Sequence, residues 1–237
     1  MVARLGWEPK PNEQPLDSML RGLVLAAHGN YGNQDTLRKA KEMFEAHCVS
    51  CEKNEPSPVL ADLRGVVYQL AMRQGDMKTF DKIFELSEAT NHQEEKVRLY
   101  RALGQTDQED ILAKCHAYSI SEKVRAADSW ALLVSASMAS FTGRKKTWEF
   151  IKANIGELKS RLGGAFLLPR VLEMTTNSFA SEDTAKEIEE FFKPGGDNHI
   201  PTAERALKQS CETIRNNTKW LERDRGAIKA FLDQAAP

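Results

Sequence analysis

Cys48-Val-Ser-Cys51 has the spacing of a redox dithiol or of half a zinc site. No second CxxC and no paired histidines complete a metal set, and no parallel-sheet pattern surrounds the pair. It reads as two neighbouring thiols at a helix end. Cys115 and Cys211 fall on apolar helix faces and read as buried thiols. His28, His47, His92, His116 and His199 are singletons, and no two share a helix face at metal spacing. The chain has no HExxH, P-loop, GxGxxG or GxSxG. Glu94-Glu95, Glu109-Asp110 and Glu187-Glu189-Glu190 lie in polar helical stretches near lysines and read as solvated faces. Arg144-Lys145-Lys146 sits at a helix start, where positive charge opposes the macrodipole. It is a candidate for holding an acid group, against the plainer reading of a solvated helix end. The sequon Asn216-Asn217-Thr218 lies inside an expected helix, which disfavours glycosylation. These residues imply a scaffold with no catalytic residues and no metal ligands of its own.

The elements that would position them are helices. Trp148, Ile151, Ile155, Leu158 and Leu162 step by three and four residues, which puts them on one helical face. Gly163-Gly164 is expected to end that helix in the left-handed conformation. A second helix opens with Pro169 in its first turn and carries Leu168, Val171, Leu172, Thr175 and Phe179 on one face. Two such helices joined by a short turn pack antiparallel. Upstream, residues 1–14 read as irregular, with Leu5-Gly6-Trp7 over the first layer of core. Helices are expected from Pro15, over 35–47, over 59–73, around Phe80–Leu86 and from Asn91 to Gly104. His28-Gly29-Asn30-Tyr31-Gly32 and residues 49–58 are expected to be loops. Thr106-Asp107-Gln108-Glu109 has a capping-box pattern. A helix is expected over Ala126–Phe141, with Trp130, Leu133, Val134 and Met138. Ser181-Glu182-Asp183 opens the next. Pro201 starts a helix with Leu207, Cys211, Ile214 and Leu221 on one face, and a separate last segment holds Ile228, Phe231 and Leu232.

No segment alternates as a strand does. Eleven or twelve helices with short loops leave a closed bundle or a stack of hairpins. Hairpin spacing of about 30–40 residues favours the stack, since it matches the usual length of helical repeats. The expected fold is therefore all-α: an α-solenoid of stacked antiparallel helix hairpins, one domain over residues 1–237, without β-sheet. Of 237 residues, 41% are hydrophobic and 28% charged, which is ample for a core. A net charge of −1 gives no electrostatic case for nucleic acid or an acidic membrane surface. No apolar run approaches the length of a membrane span.

Four stretches carry a resemblance, in order and at matching spacing. They are LGWEPKP…LDSMLRGLVL, TWEFIKANIGEL, FLLPRVLEMTTNSFAS and ETIRNNTKWLERDRGAIKAFL. Together they resemble the C-terminal helical domain of M1-family zinc aminopeptidases, most closely the puromycin-sensitive branch, over essentially the whole chain. The resemblance implies a HEAT- or armadillo-like superhelix that closes over a catalytic domain and limits access of peptides. It implies that zinc, its HExxH ligands and the GxMEN amine site lie in an upstream domain of the same polypeptide. The partners it implies are that catalytic domain and the parent's peptide substrates; this chain itself would hold no cofactor. In the endoplasmic-reticulum branch, a basic residue after helix five holds the peptide C-terminus. The matching position here is Gln105, with Arg101 one turn earlier. Lumenal relatives also carry a cysteine pair near the first inter-helix loop; residues 26–34 here contain none, which favours a reducing, cytoplasmic home.

A rival from another class is an independent helical-repeat adaptor that presents a concave surface to protein partners. A chain that is the later part of a longer helical domain should expose an apolar surface at its N-terminal end, near Trp7, Met19 and Leu20.

Overall fold

The computed structural model describes residues 1–163 and 166–235. The chain divides into two compact units, Met1–Leu112 and Ala113–Pro237. Within the described residues it is all-α and solenoid-like, with no strand. No helix there is long and apolar enough to cross a membrane.

The first unit holds α1 (Val2–Leu5), α2 (Pro15–Asn30), α3 (Gln34–Glu52), α4 (Ala61–Arg73), α5 (Met77–Ala89) and α6 (Gln93–Leu103). Local chemistry sets the starts. Pro15 occupies the first turn of α2, Asn33 accepts the Thr36 N–H to open α3, and Asp76 with Thr79 forms a capping box on α5. Packing orders them in rows. α4 lies between α2 and α6, while α3 packs on α4 and α5 on α6. Leu63, Val67, Leu70, Phe80, Ile83, Leu99 and Leu103 are fully buried along these seams. The segment before α2 is pinned to it. Arg21 is buried and holds Glu13 and the Leu5 carbonyl, and Trp7 packs on Leu37, Ala40 and Leu70.

α7 (Glu109–Ser119) is followed by a 3-10 turn, Ala126–Asp128. The second unit then holds α8 (Ser129–Ala139), α9 (Phe141–Ala153), α10 (Ile155–Leu162), α11 (Leu167–Thr176), α12 (Glu182–Phe191) and α13 (Glu204–Ala235). α8 is apolar nearly all round and packs on α9 and α11, and α13 packs on α11 and α12. Every member of the expected hairpin stripe is buried, from Trp148 to Leu162 and from Leu168 to Phe179. Trp148 meets Phe191 edge to face at 5.6 Å between ring centres. Arg215 clamps Glu182 and Glu189 across α12 and α13.

Several boundaries differ from the sequence expectation. The stripe 147–162 is two helices, because Asn154 ends α9 and opens α10. Its Nδ2 donates to the Phe150 carbonyl at 2.9 Å, and its own carbonyl accepts the Leu158 N–H. Gly163 follows α10 with φ −67, not left-handed; Gly164 lies outside the described residues. His28, Gly29 and Asn30 belong to α2, since Gly29 is buried against Leu70 and the helix gains by running on. α3 continues to Glu52, so Cys48 and Cys51 lie in its last turns. α7 begins at Glu109, and Thr106 accepts the Gln108 N–H just before it. The expected helix over 126–141 is the 3-10 turn plus α8, which stops before the Ser140 cap of α9. The two last segments are one helix of 32 residues. Leu207, Cys211 and Ile214 are buried, but Leu221, Ile228, Phe231 and Leu232 are exposed beyond them.

Candidate functional site

Three helices of the first unit bring together residues far apart in sequence. α3 supplies His47 and Cys51, α4 supplies Arg64 and Tyr68, and α6 supplies Glu95 and Arg98. Tyr68 is fully buried, and its hydroxyl lies 2.5 Å from Glu95 Oε1 and 2.8 Å from His47 Nε2. Serine 57 completes the line, with Oγ 2.7 Å from His47 Nδ1. The carboxylate can only accept, so the phenol gives its one proton to Glu95. His47 Nε2–H must then donate to the phenolic oxygen, while Ser57, whose hydroxyl also lies 3.4 Å from the Val59 carbonyl, can pair with Nδ1 as donor or acceptor. The network thus places a proton on Nε2, and burial of the ring favours its neutral form.

The electrostatics agree. Burial holds the His47 pKa below its ordinary value, and the Arg64 charge adds to this while Glu95 opposes it. Burial, and then the bond to Glu95, push the Tyr68 phenol up. Cys51 lies 3.5 Å from His47 Nε2, yet burial raises its thiol rather than lowering it. Nε2, the His47 nitrogen nearest Cys51, already carries a proton and cannot accept the thiol's, so the two are not set as base and nucleophile. Cys48, one turn earlier, is pushed up to about 11, again by burial first.

This network forms one wall of a cleft of about 880 Å³, lined by His47, Cys51, Arg64, His92, Glu95, Arg98 and their neighbours. Glu95 is bonded to Arg98 at 2.8 Å and lies 3.8 Å from Arg64. Two guanidinium groups and the Glu95 carboxylate are therefore held at the cleft by a buried frame, with Glu55 and Glu94 also on its lining. Such a surface can hydrogen-bond and charge-match a polar chain. Among the described residues no three His, Cys, Asp or Glu side chains are grouped to hold a metal, so zinc does not fit here. Removing the Tyr68 hydroxyl tests the frame. Tyr68→Phe leaves Glu95 and His47 without their shared partner, and is expected to cost about 2 kcal/mol in urea unfolding. An unchanged midpoint would mean that the hydroxyl holds nothing.

The peptide contacts expected from the sequence lie elsewhere. Arg101 is exposed in the last turn of α6, and Gln105 is half-buried just after it, with its N–H on the Ala102 carbonyl. Neither lines the cleft, whereas Arg98, one turn before Arg101, does. Glu94 is a solvated side chain as expected, but Glu95 is only 13% exposed and paired, a correction to the solvated-face reading. Glu187, Glu189 and Glu190 are surface groups paired with Lys152, Arg215 and Lys193. In the basic cluster, Lys145 and Lys146 reach Glu149. Arg144 instead turns over the Phe179 ring at 5.8 Å, with its Nε buried and unbonded. Cys115 and Cys211 are buried free thiols, as their positions implied. The only sequence signal for the network was its local pairs: His47 and Cys51 at i,i+4, Arg64 and Tyr68 at i,i+4, Glu95 and Arg98 at i,i+3.

Known proteins resemble this chain along nearly its whole length. The family described as ERAP1-like C-terminal domain matches residues 1–216. Aminopeptidase M1 of Arabidopsis thaliana is 31% identical over 224 residues, which is 93% of this chain and 24% of that protein. Puromycin-sensitive aminopeptidase of Caenorhabditis elegans is 31% identical over 98% of this chain and 25% of its own length. "Aminopeptidase 2, mitochondrial" of Saccharomyces cerevisiae is 25% identical over 99% of this chain and 24% of its own length. The chain spans about a quarter of the length of these relatives.

Proposed function

The chain belongs to the ERAP1-like C-terminal domain family of M1 aminopeptidases, and from that premise we propose that it is the substrate-gating and structural domain of such an enzyme. The parent removes N-terminal residues from peptides; this chain contributes no catalytic residue. It is the later part of a C-terminal helical domain and acts as one domain. Its partners are the upstream catalytic domain of the same polypeptide and the peptides the parent cleaves. Zinc is held by the upstream domain. The family match over residues 1–216 carries the reading.

The geometry supports a recognition role. The cleft presents Arg64, Arg98 and Glu95 on a rigid frame, and the His47 nitrogen nearest Cys51 already carries a proton. Arg101, in the last turn of α6, and Gln105, just after that helix, are proposed to contact the distal part of bound peptides. A cytoplasmic location is supported by free thiols at all four cysteines and by the cysteine-free stretch 26–34.

Two preparations test this. The chain alone should bind no stoichiometric zinc and should not hydrolyse aminoacyl arylamides. A longer polypeptide that includes the upstream reading frame should do both. In that enzyme, Arg101→Glu should lower kcat/KM for long peptides by about tenfold and leave arylamide turnover unchanged. Zinc and turnover in the chain alone would overturn the reading. An upstream frame without HExxH and GxMEN would instead favour an independent helical-repeat adaptor.

A further inference from the structure

The first unit presents apolar surface on α2 and between α3 and α5. On α2, Leu16, Met19 and Leu23 are exposed, so the open end expected from the sequence is met at Met19, while Trp7 and Leu20 are half-buried. Between α3 and α5 the apolar surface is instead the floor of a cleft. Both helices pack on α4, and the space left between them over the end of α4 measures about 480 Å³. That is the size of a small-molecule site.

The floor is Phe44 and Cys48 of α3 and Ala71 of α4, all buried, with Val49 exposed at the lip. It is braced from below, because the Phe44 ring meets the Tyr68 ring edge to face at 6.1 Å. Burial pushes the Cys48 thiol up to about 11, as an apolar floor requires. The rim is charged. Lys41 stands on α3, and Lys78 and Lys82 stand on α5. Lys82 is taken: it pairs with Glu52 and lies 3.9 Å from Glu85. Lys41 and Lys78 are exposed and make no ion pair with any described residue. Of the acids on the rim, the Asp76 carboxylate is committed to the Thr79 N–H at the start of α5, and Glu45 is exposed. The lining thus carries Lys41, Lys78 and Lys82 against Glu45 and Asp76, in a chain whose net charge is −1.

The two ends of the cleft differ. The Gln74 side chain donates to the Leu37 carbonyl, which holds the start of α5 beside the turn of α3 that carries Lys41. Lys82 reaches Glu52 at the far end of α3. Lys41 and Lys78 therefore share one end, and Val49 lies toward the other.

We infer that this cleft binds a small amphipathic organic anion, with its apolar body on Phe44, Cys48 and Ala71 and its charged end between Lys41 and Lys78. The floor offers no strong hydrogen-bonding group, so a body gains by burial there only if it is apolar. Lys41 and Lys78 bring charge without a partner, so the complementary end is negative. From Lys41 to Val49 the cleft runs about 12 Å along α3, which suits one small molecule. The site does not depend on the reading of the parent enzyme.

Backbone amide resonances of the whole chain give the test, with 4-phenylbutyrate as the probe. Its comparators are neutral 4-phenylbutyramide, inorganic phosphate and an acetylated acidic hexapeptide. Phenylbutyrate should shift the amides of residues 41–49 and 74–82 saturably, and the neutral amide should bind at least about tenfold more weakly. Lys41→Glu and Lys78→Glu should each weaken phenylbutyrate at least about fivefold. Both side chains are exposed, so the Tm of each variant should be unchanged. Equal affinity for acid and amide would overturn the inference. So would shifts spread outside these segments, or none up to about 10 mM. Phosphate acting as strongly on the same amides would overturn it as well, since the apolar floor would then contribute nothing. Binding of the peptide without the small acid would make the cleft a protein-docking surface instead.

Discussion

Replacing Gly143 with alanine is expected to destabilise the Ala113–Pro237 unit by about 3 kcal/mol, at the upper end of what overpacking costs. Gly143 lies in the first turn of α9, where its N–H is held by the Ser140 hydroxyl at 2.9 Å. A Cβ built there would stand 2.1 Å from the Ala136 carbonyl oxygen and 3.3 Å from its carbon. Both are backbone atoms of α8, so no rotamer change relieves the clash. α8 and α9 must separate, and the buried residues of the shared core, Leu133 and Trp148 among them, lose contacts with them. The Gly143 carbonyl also accepts the buried Thr147 hydroxyl at 2.8 Å, a bond that any shift endangers. Gly65→Ala is the control. It lies inside α4 with open space where a Cβ would go, so it should be neutral or stabilise by up to about 1 kcal/mol. Urea unfolding of both variants separates the effects. Equal midpoints would show that α8 and α9 do not approach as closely as described.

The second large effect is acid lability centred on His116. This side chain is buried, stacks on Phe150 at 5.0 Å and hydrogen-bonds through Nε2 to the Thr147 hydroxyl at 2.9 Å. Thr147 gives its proton to Gly143, so Nε2 must carry its own and donate. Burial lowers the pKa of His116 from 6.5 to about 4. The sign follows from proton counting. Between pH 6.5 and about 4 the unfolded chain binds a proton that the folded chain refuses, so stability falls as pH falls. The loss reaches up to about 3 kcal/mol once the pH is below about 4. Carboxylates held low by their partners act in a lower window. Glu189 is lowered first by its bond to Arg215, Asp76 by the Thr79 N–H and Glu13 by Arg21, from ordinary values of 4.5, 3.8 and 4.5. Their contributions are lost only as pH falls through values below these. The slope from pH 6.5 to 4.5 therefore reports the depressed histidines, His116 and His47. His116→Gln should flatten it, which chemical denaturation at stepped pH would show. An unchanged slope would remove His116 as its source.

Much of the fold was legible because helix formation is read locally. The stripe from Trp148 to Leu162 was visible from spacing, and every member is buried. The break at Asn154 was invisible because the apolar period runs through it unchanged, and a side-chain bond to Phe150 makes the interruption cheap. The opposite error joined to it is α13, where Leu221 kept the helical period of Leu207 and Ile214 but has no neighbour to be buried against. Period gives the face of a helix; whether another element covers that face is a separate fact.

The candidate site was less legible for the same reason. Glu94 and Glu95 are adjacent acids in one polar helix, yet one is solvated and the other is held by Tyr68 and Arg98. Nothing local distinguishes them, because the difference is a 100° turn about α6 toward a helix that lies 27 residues earlier.

The sequence by itself determined that this chain is all helical, that its cysteines are free buried or helix-end thiols, and that its ordered motifs match an aminopeptidase C-terminal domain. These follow from periodicity and residue type, which act within a turn or two of helix. Tertiary structure decided which faces meet. It drew His47, Tyr68 and Glu95 into one network, set the close approach at Gly143 and left the Leu16–Met19–Leu23 stripe open. Those outcomes depend on packing between helices far apart in the chain, where burial and shared hydrogen bonds, and not helix propensity, set the energy.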